Sequence, residues 1–250
     1  MELKRRPFQG VLNILDFNRH FYYYGITTLI LLLAIIYTIN LPSIIAILLI
    51  TGFAYGLLMP LIVSAYVYDF SDYYSLKWLD QYIEDKALKF KLVNINAGFD
   101  ETSFIIKNKL KNAELQVYDF YDQELHTEPA IVRARRVSLV YPNTQQIQSN
   151  HIPKENGNTD IVFLLSSAHE IREFSEKIEF LKECKRICKP NGKVIMVEHL
   201  RDFPNLVAFT IGFNHFFSRN IWRKAFTSAG FTSFHEEKFT PFMSIFECKP

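Results

Sequence analysis

The sequence predicts an α/β protein: a Rossmann-like doubly wound sheet with its last strand antiparallel, preceded by two transmembrane helices. Three observations predict it. Residues 21 to 68 contain no Asp, Glu, Lys, Arg or His. From residue 90 onward, short apolar runs alternate with amphipathic stretches, the pattern of parallel strands joined by helices. The chain then ends on two strand-like segments with no helix between them, which makes the final strand antiparallel.

The uncharged run is about twice as long as one crossing, which takes about 20 residues of helix. It divides at Asn40-Leu41-Pro42-Ser43 into two apolar halves, with Phe21 to Tyr24 at one outer end and Tyr66, Tyr68 and Phe70 at the other. Such aromatics suit the headgroup level. A helical hairpin follows, with Pro42 in its turn and Pro60 inside the second helix, where it is expected to kink the chain. Gly52 and Gly56 form a GxxxG pair, expected to bring the second helix close against the first. A buried hairpin in a soluble core fits less well, because soluble helices this free of charge are rare. A cleaved signal peptide is far shorter. Lys4, Arg5, Arg6 and Arg19 precede the first helix and the turn is uncharged. Positive residues stay inside, so both termini and everything after Asp69 are expected on the cytoplasmic side of the cell (inner) membrane.

About 180 of the 250 residues remain beyond the hairpin, enough for one domain with a full core. The organisation expected is a basic N-terminus over 1–20, the hairpin over 21–69, a connecting amphipathic helix over 70–89 and one α/β domain over 90–250. A net charge of +2 gives no argument for nucleic acid. Cys184, Cys188 and Cys248 read as buried thiols in a reducing compartment; a structural zinc site needs four ligands in short paired spacings, so no metal is expected.

Within the domain each element follows from its residues. A connecting helix over 71–87 presents Tyr73, Tyr74, Leu76, Trp78, Leu79 and Ile83 toward the membrane surface. Phe90 to Asn96 is a buried strand, Gly98 turns the chain, Asp100 or Thr102 caps, and Ser103 to Leu110 is a helix. Glu114 to Tyr118 is a strand ending at Asp119. Thr127 and Pro129 open a helix carrying Arg133, Arg135 and Arg136. Thr144 to Ser149 is a short strand, Asp160 to Leu165 an apolar one, and Phe174 to Ile187 an amphipathic helix. Lys189-Pro-Asn-Gly192 leads into a strand over 193–197. Trp222 to Ala229 is a helix ending at Gly230, followed by strands near 231–237 and 242–248.

Four segments in this order carry a resemblance. Val93-Asn-Ile-Asn-Ala-Gly98-Phe-Asp100 follows the first strand, Asp119 ends the second, Asp160 to Leu165 leads into Ser166-Ser-Ala-His-Glu170, and Cys188-Lys-Pro-Asn-Gly192 turns into the fifth. Together they resemble the class I S-adenosylmethionine-dependent methyltransferases, from residue 90 to the C-terminus. The resemblance implies that S-adenosylmethionine is bound by Asn94, Asn96, Gly98, Asp100, Asp119, Gln148, Ser149 and Ser166, with Asp119 accepting from the ribose hydroxyls. Where the family pattern has an acid and three glycines, this chain has Asn94, Asn96, Gly98 and Asp100, so only the middle glycine remains. Gly98 still permits close backbone approach to a ligand.

Methyl transfer asks a protein for in-line positioning and a base. Two loops supply titratable groups, His169-Glu170-Ile-Arg172 and Glu198-His199-Leu-Arg201-Asp202, and neighbouring strand ends bring them to one crevice. His169 and His199 are the candidate bases, with Glu198 or Asp202 as orienting carboxylates. Glu170, Arg201, Asp202, Phe209, Phe213 and His215 are expected to contact the acceptor. The last three lie in the aromatic segment 203–217, which suits an apolar channel from the bilayer or an amphipathic core helix. The expected function is O- or C-methylation of a hydrophobic quinone-, aryl-polyene- or lipid-like acceptor beside the lipid bilayer, without nucleic acid or metal. A lipid amine N-methyltransferase and a non-catalytic membrane scaffold are the alternatives.

Overall fold

The computed structural model describes residues 5–83, 88–126 and 128–250. Lys4 and Thr127, used above for orientation and capping, lie outside them. The uncharged run forms two helices, α2 (Arg19–Ile39) and α3 (Ser43–Ser64), with α1 (Gln9–Phe17) before them. Asn40 turns the chain in the left-handed region at φ 53°, and Pro42 caps α3. Both helices are long and apolar enough to cross a membrane, and their apolar windows are unburied. Pro60 lies inside α3, which runs on through a π turn at Ala65–Phe70.

Two expectations for this region are corrected. Gly52 and Gly56 have nothing within 4 Å of where a Cβ would stand, whereas a Cβ on Gly25 would lie 2.5 Å from Leu57 Cδ2. The helices therefore meet at Gly25, and the GxxxG face opens onto a cavity instead. The connecting helix over 71–87 is also absent from the described part of that segment, where Leu76 is left-handed at φ 51° and a single 3-10 turn follows at Lys77–Gln81. Tyr73, Leu76, Trp78, Leu79 and Ile83 are buried against the sheet, so packing and not a membrane surface takes their apolar area.

The domain is a seven-stranded sheet in the order β3-β2-β1-β4-β5-β7-β6. Its strands are β1 (Lys91–Asn96), β2 (Glu114–Asp119), β3 (Gln145–Gln146), β4 (Thr159–Leu165), β5 (Cys188–His199), β6 (Ser233–Lys238) and β7 (Met243–Lys249). β1 to β5 run parallel, and β7 inserts antiparallel between β5 and β6. Alternate residues of the central strands feed two cores: Val93, Val162 and Met196 face one side with Phe180 and Trp222, while Leu92, Phe163 and Val197 face the other with Trp78. Burial on both faces is what near-continuous apolar strands require. The helices α4 (Thr102–Lys109), α5 (Pro129–Val137), α6 (Phe174–Ile187), α7 (Phe203–Phe209) and α8 (Arg219–Ser228) complete it. Asp100 Oδ1 caps α4 by accepting from the Thr102 and Ser103 amides at 3.0 and 2.9 Å. The third strand is shorter than expected, and β5 starts earlier, at Cys188.

Candidate active site

The parallel sheet reverses its winding between β1 and β4, and ligands bind at the strand ends beside such a switch point. A cavity of about 920 Å³ lies there. Strand-end residues Ser166, His169, Glu170 and His199 line its floor, Phe209, His215 and Phe216 a side wall, and Phe21, Tyr22, Gly52, Phe53, Gly56 and Leu57 of the hairpin its far end. The segment after β5 folds as α7 and a 3-10 turn (Thr210–His215) and touches α3, where Tyr55 Oη donates to Val207 O at 2.6 Å.

His169 and Glu198 form a buried dyad. His169 sits in a 3-10 turn (Ala168–Glu170) after β4, and its Nδ1 lies 2.7 Å from Glu198 Oε2, while its backbone amide donates to Oε1 at 3.2 Å. Glu198 is 1% exposed. The other ring nitrogen, Nε2, is 3.4 Å from Glu170 Oε1. Burial pulls the His169 pKa down, but Glu198 and Glu170 outweigh it and hold the imidazolium up to about 10. Burial pushes the Glu170 carboxyl up, and His169 more than reverses that, leaving it below its ordinary range. His215 faces His169 with ring centroids 4.9 Å apart, and its Nδ1 lies 2.8 Å from Glu128 Oε2. Arg172 Nη1 ties the two loops by donating to His169 O at 3.1 Å and His215 O at 2.7 Å. Ligand-type atoms of His169, Glu170 and His215 lie within 4.8 Å of one another, a trio that the sequence spacing hid.

His199 is placed differently from a free base. Tyr68 Oη lies 2.8 Å from its Nε2, and its Nδ1 is 3.0 Å from Phe242 O, so Nδ1–H donates to the carbonyl and the phenol donates to Nε2. Burial lowers its pKa to about 4 and keeps the ring neutral. Both nitrogens are thus engaged inside the protein, and the ring ties the end of the hairpin to the end of β5.

The residues expected to hold the cofactor divide. Gly98 has φ 85° after β1, and Asp119 ends β2 with its Oδ1 accepting from the Tyr121 amide at 2.8 Å. Asn96 Oδ1 accepts from the Gly98 amide at 2.8 Å, while its Nδ2 and the Asp100 Oδ2 are buried without a partner. Ser166, left-handed at φ 51°, lines the cavity and meets Tyr73 Oη at 2.9 Å. A carboxylate at a strand end, a bare turn beside it and unsatisfied polar atoms nearby fit a ligand that carries vicinal hydroxyls and an amino acid moiety. One side chain stands in the way: Arg135 Nη1 bonds Asp119 Oδ2 at 3.0 Å.

Other expected residues lie elsewhere. Asn94 braces α4, donating from Nδ2 to Thr102 Oγ1 and Ser103 Oγ at 3.1 and 2.8 Å, while its Oδ1 is buried without a partner. Ser149 Oγ donates to Glu176 at 2.6 Å, and Gln148 is exposed in a bridge to His151. Arg201 Nη2 donates to Asn214 O, and Asp202 caps α7 through Asn205 N at 3.2 Å and pairs with Lys238; neither lines the cavity. Phe213 borders a separate shallow depression. Glu128, Tyr68, Tyr73 and Arg135 belong to the site without having been expected there. Tyr68 carried the only visible signal, a polar-tipped aromatic at the end of an uncharged run.

Residues 109–196 match the family model described as a methyltransferase domain. A highly reducing polyketide synthase from Pyrenophora dematioidea is 31% identical over 91 residues, a stretch that is 3% of that protein's length. Among solved structures, human N-acetylserotonin methyltransferase in complex with S-adenosylmethionine superposes with a TM-score of 0.54 at 14% identity, covering 95% of this chain and 69% of that one. A protein from Pyrococcus horikoshii gives 0.51 at 18% identity, covering 69% and 86%. The sheet order and the inserted antiparallel strand agree with these superpositions: the chain has the fold of the class I methyltransferases, and its residues 109–196 match a methyltransferase domain.

Proposed function

We propose that this protein is a membrane-anchored methyltransferase that methylates oxygen or carbon of a hydrophobic acceptor drawn from the bilayer. One observation carries the reading: a single cavity reaches from the apolar hairpin helices to the His169–Glu198 dyad. Its size, about 920 Å³, is at the upper end for small-molecule sites, which run to about 1,000 Å³. Apolar residues of α7 and the following turn face outward, with Phe203 75% and Ile211 77% exposed, as a surface lying against lipid requires. The basic N-terminus and the uncharged turn support a cytoplasmic domain on a two-pass anchor of the inner membrane.

S-adenosylmethionine, when bound, supplies an electrophilic methyl group. The chain's residues do the rest. Asp119 and the Gly98 turn seat the nucleoside, Phe209 and Phe216 wall the acceptor in, and Glu198 fixes the His169 ring through Nδ1 so that Nε2 takes the acceptor's proton. His169 needs to be neutral for that step, so the active fraction grows with pH. A base suits a hydroxyl or an acidic carbon better than an amine, which arrives with its own lone pair.

The test uses the full chain in liposomes loaded with a prenylated quinol, an alkylphenol or an aminophospholipid, and cofactor labelled in the methyl group. Label is expected in the organic extract of the first or second, with H169Q reduced by about two to four orders of magnitude while its cofactor affinity persists. Label in the aminophospholipid would point to N-methylation. Cofactor binding by neither protein would leave a scaffold.

A further inference from the structure

The nucleoside crevice is partly filled by the protein itself. Arg135 reaches over it from α5, with its guanidinium carbon 3.9 Å above the Tyr121 ring and Nη1 bonded to Asp119 Oδ2 at 3.0 Å. A Cβ on Gly98 would fall 1.9 Å from the same Nη1. The guanidinium therefore rests on the bare turn and on the carboxylate, the two features a nucleoside with vicinal hydroxyls would use. We propose that Arg135 is a displaceable plug of the nucleoside subsite, which a bound cofactor exchanges for its own hydroxyls on Asp119. The proposal rests on the cofactor reading above for the identity of the ligand.

The geometry says which part moves. The backbone of α5 is fixed, because Ile131 and Ala134 are buried in the core and Arg133 donates to Phe17 O and meets His20 Nδ1 at 2.7 Å. The Arg135 side chain is 32% exposed, so rotation carries its charge into water without moving the helix. Next to it Arg136 is already exposed. Displacement gives up one charge-assisted hydrogen bond and the stacking on Tyr121, so affinity is lower than the crevice alone would give.

Calorimetry with S-adenosylmethionine, on the full chain in detergent, tests this without any turnover. R135A is expected to bind about tenfold more tightly than the wild type, the lower end for a partly exposed charged bond. R135Q, which keeps most of the length without the charge, is expected to follow, and a melting curve establishes that each variant is folded. Equal or weaker binding by folded R135A and R135Q would overturn the plug while leaving the cofactor reading intact, with weaker binding meaning that Arg135 holds the ligand. Absence of binding in all three proteins would overturn both.

Discussion

Replacing Glu198 with Gln changes the charge of the dyad while keeping its shape. In the wild type His169 is lifted from 6.5 to about 10 against the pull of burial, by Glu198 first and Glu170 second. A lift of that size corresponds to about 5 kcal/mol at about 1.4 kcal/mol per unit, shared between the two carboxylates. Glu198 is the larger of the two carboxylate influences, so E198Q is expected to bring the imidazole well down from about 10. For a single base, kcat/KM in the wild type rises about tenfold per pH unit up to about pH 10, whereas the variant breaks at a lower pH onto a plateau about a hundredfold lower, because the base is weaker and its ring less firmly aimed. Stability moves in step. A raised folded pKa gives stabilisation fully present below pH 6.5 and lost as pH rises through about 10; in E198Q that loss is smaller and ends at lower pH. The assay is a pH profile of kcat/KM from 6.5 to 10.5 with melting curves at each pH. A wild-type profile flat between pH 7 and 9, or an E198Q limb that breaks where the wild type does, would refute His169 as the proton acceptor.

Tyr68→Phe removes the phenol from His199 and is expected to lower stability by about 1 kcal/mol while leaving the pH limb of kcat/KM in place, since both ring nitrogens of His199 are bonded within the protein and the proposed base is His169. His199 is itself an acid sensor: its folded pKa, lowered from 6.5 to about 4, gives stabilisation present above pH 6.5 and lost as pH falls through about 4, which urea melts across that window will show. Cysteine labelling in sealed vesicles at Ser43 and Ser149 is expected to give opposite sides of the membrane; labelling of both from the cytoplasmic face contradicts the hairpin.

The fold was largely legible because its signals are local. Short apolar runs place β1, β2 and β4 almost to the residue, and the amphipathic α6 from Phe174 to Ile187 is recovered with both ends. Two connections failed for the same reason. In 71–83 apolar residues recur at helical spacing, yet tertiary packing under the sheet and a left-handed Leu76 break the helix. Gly52 and Gly56 carry a helix-packing spacing, yet α2 meets α3 one face away, at Gly25.

The site was legible only where strand ends supply it. His169 and Glu198 follow β4 and β5, whose parallel pairing brings residues 29 positions apart within hydrogen-bond reach, and alternating elements make that pairing foreseeable. Glu128, Tyr68 and Arg135 come from a loop, the end of an apolar helix and a peripheral helix, and no local pattern says which of their neighbours they meet. His199 shows how adjacency misleads. It stands next to Glu198 on the same strand, so its ring points to the opposite face, and there Tyr68 and Phe242 O take both nitrogens. Both histidines line the cavity, but their partners divide them: His169 has a carboxylate behind it, and His199 fastens the domain to its hairpin. Tyr68, at the end of the apolar helices, is bonded to the strand that carries Glu198, so on the proposed function the cavity mouth and the proton acceptor are held in one frame and a hydrophobic acceptor would meet the base without a separate docking step.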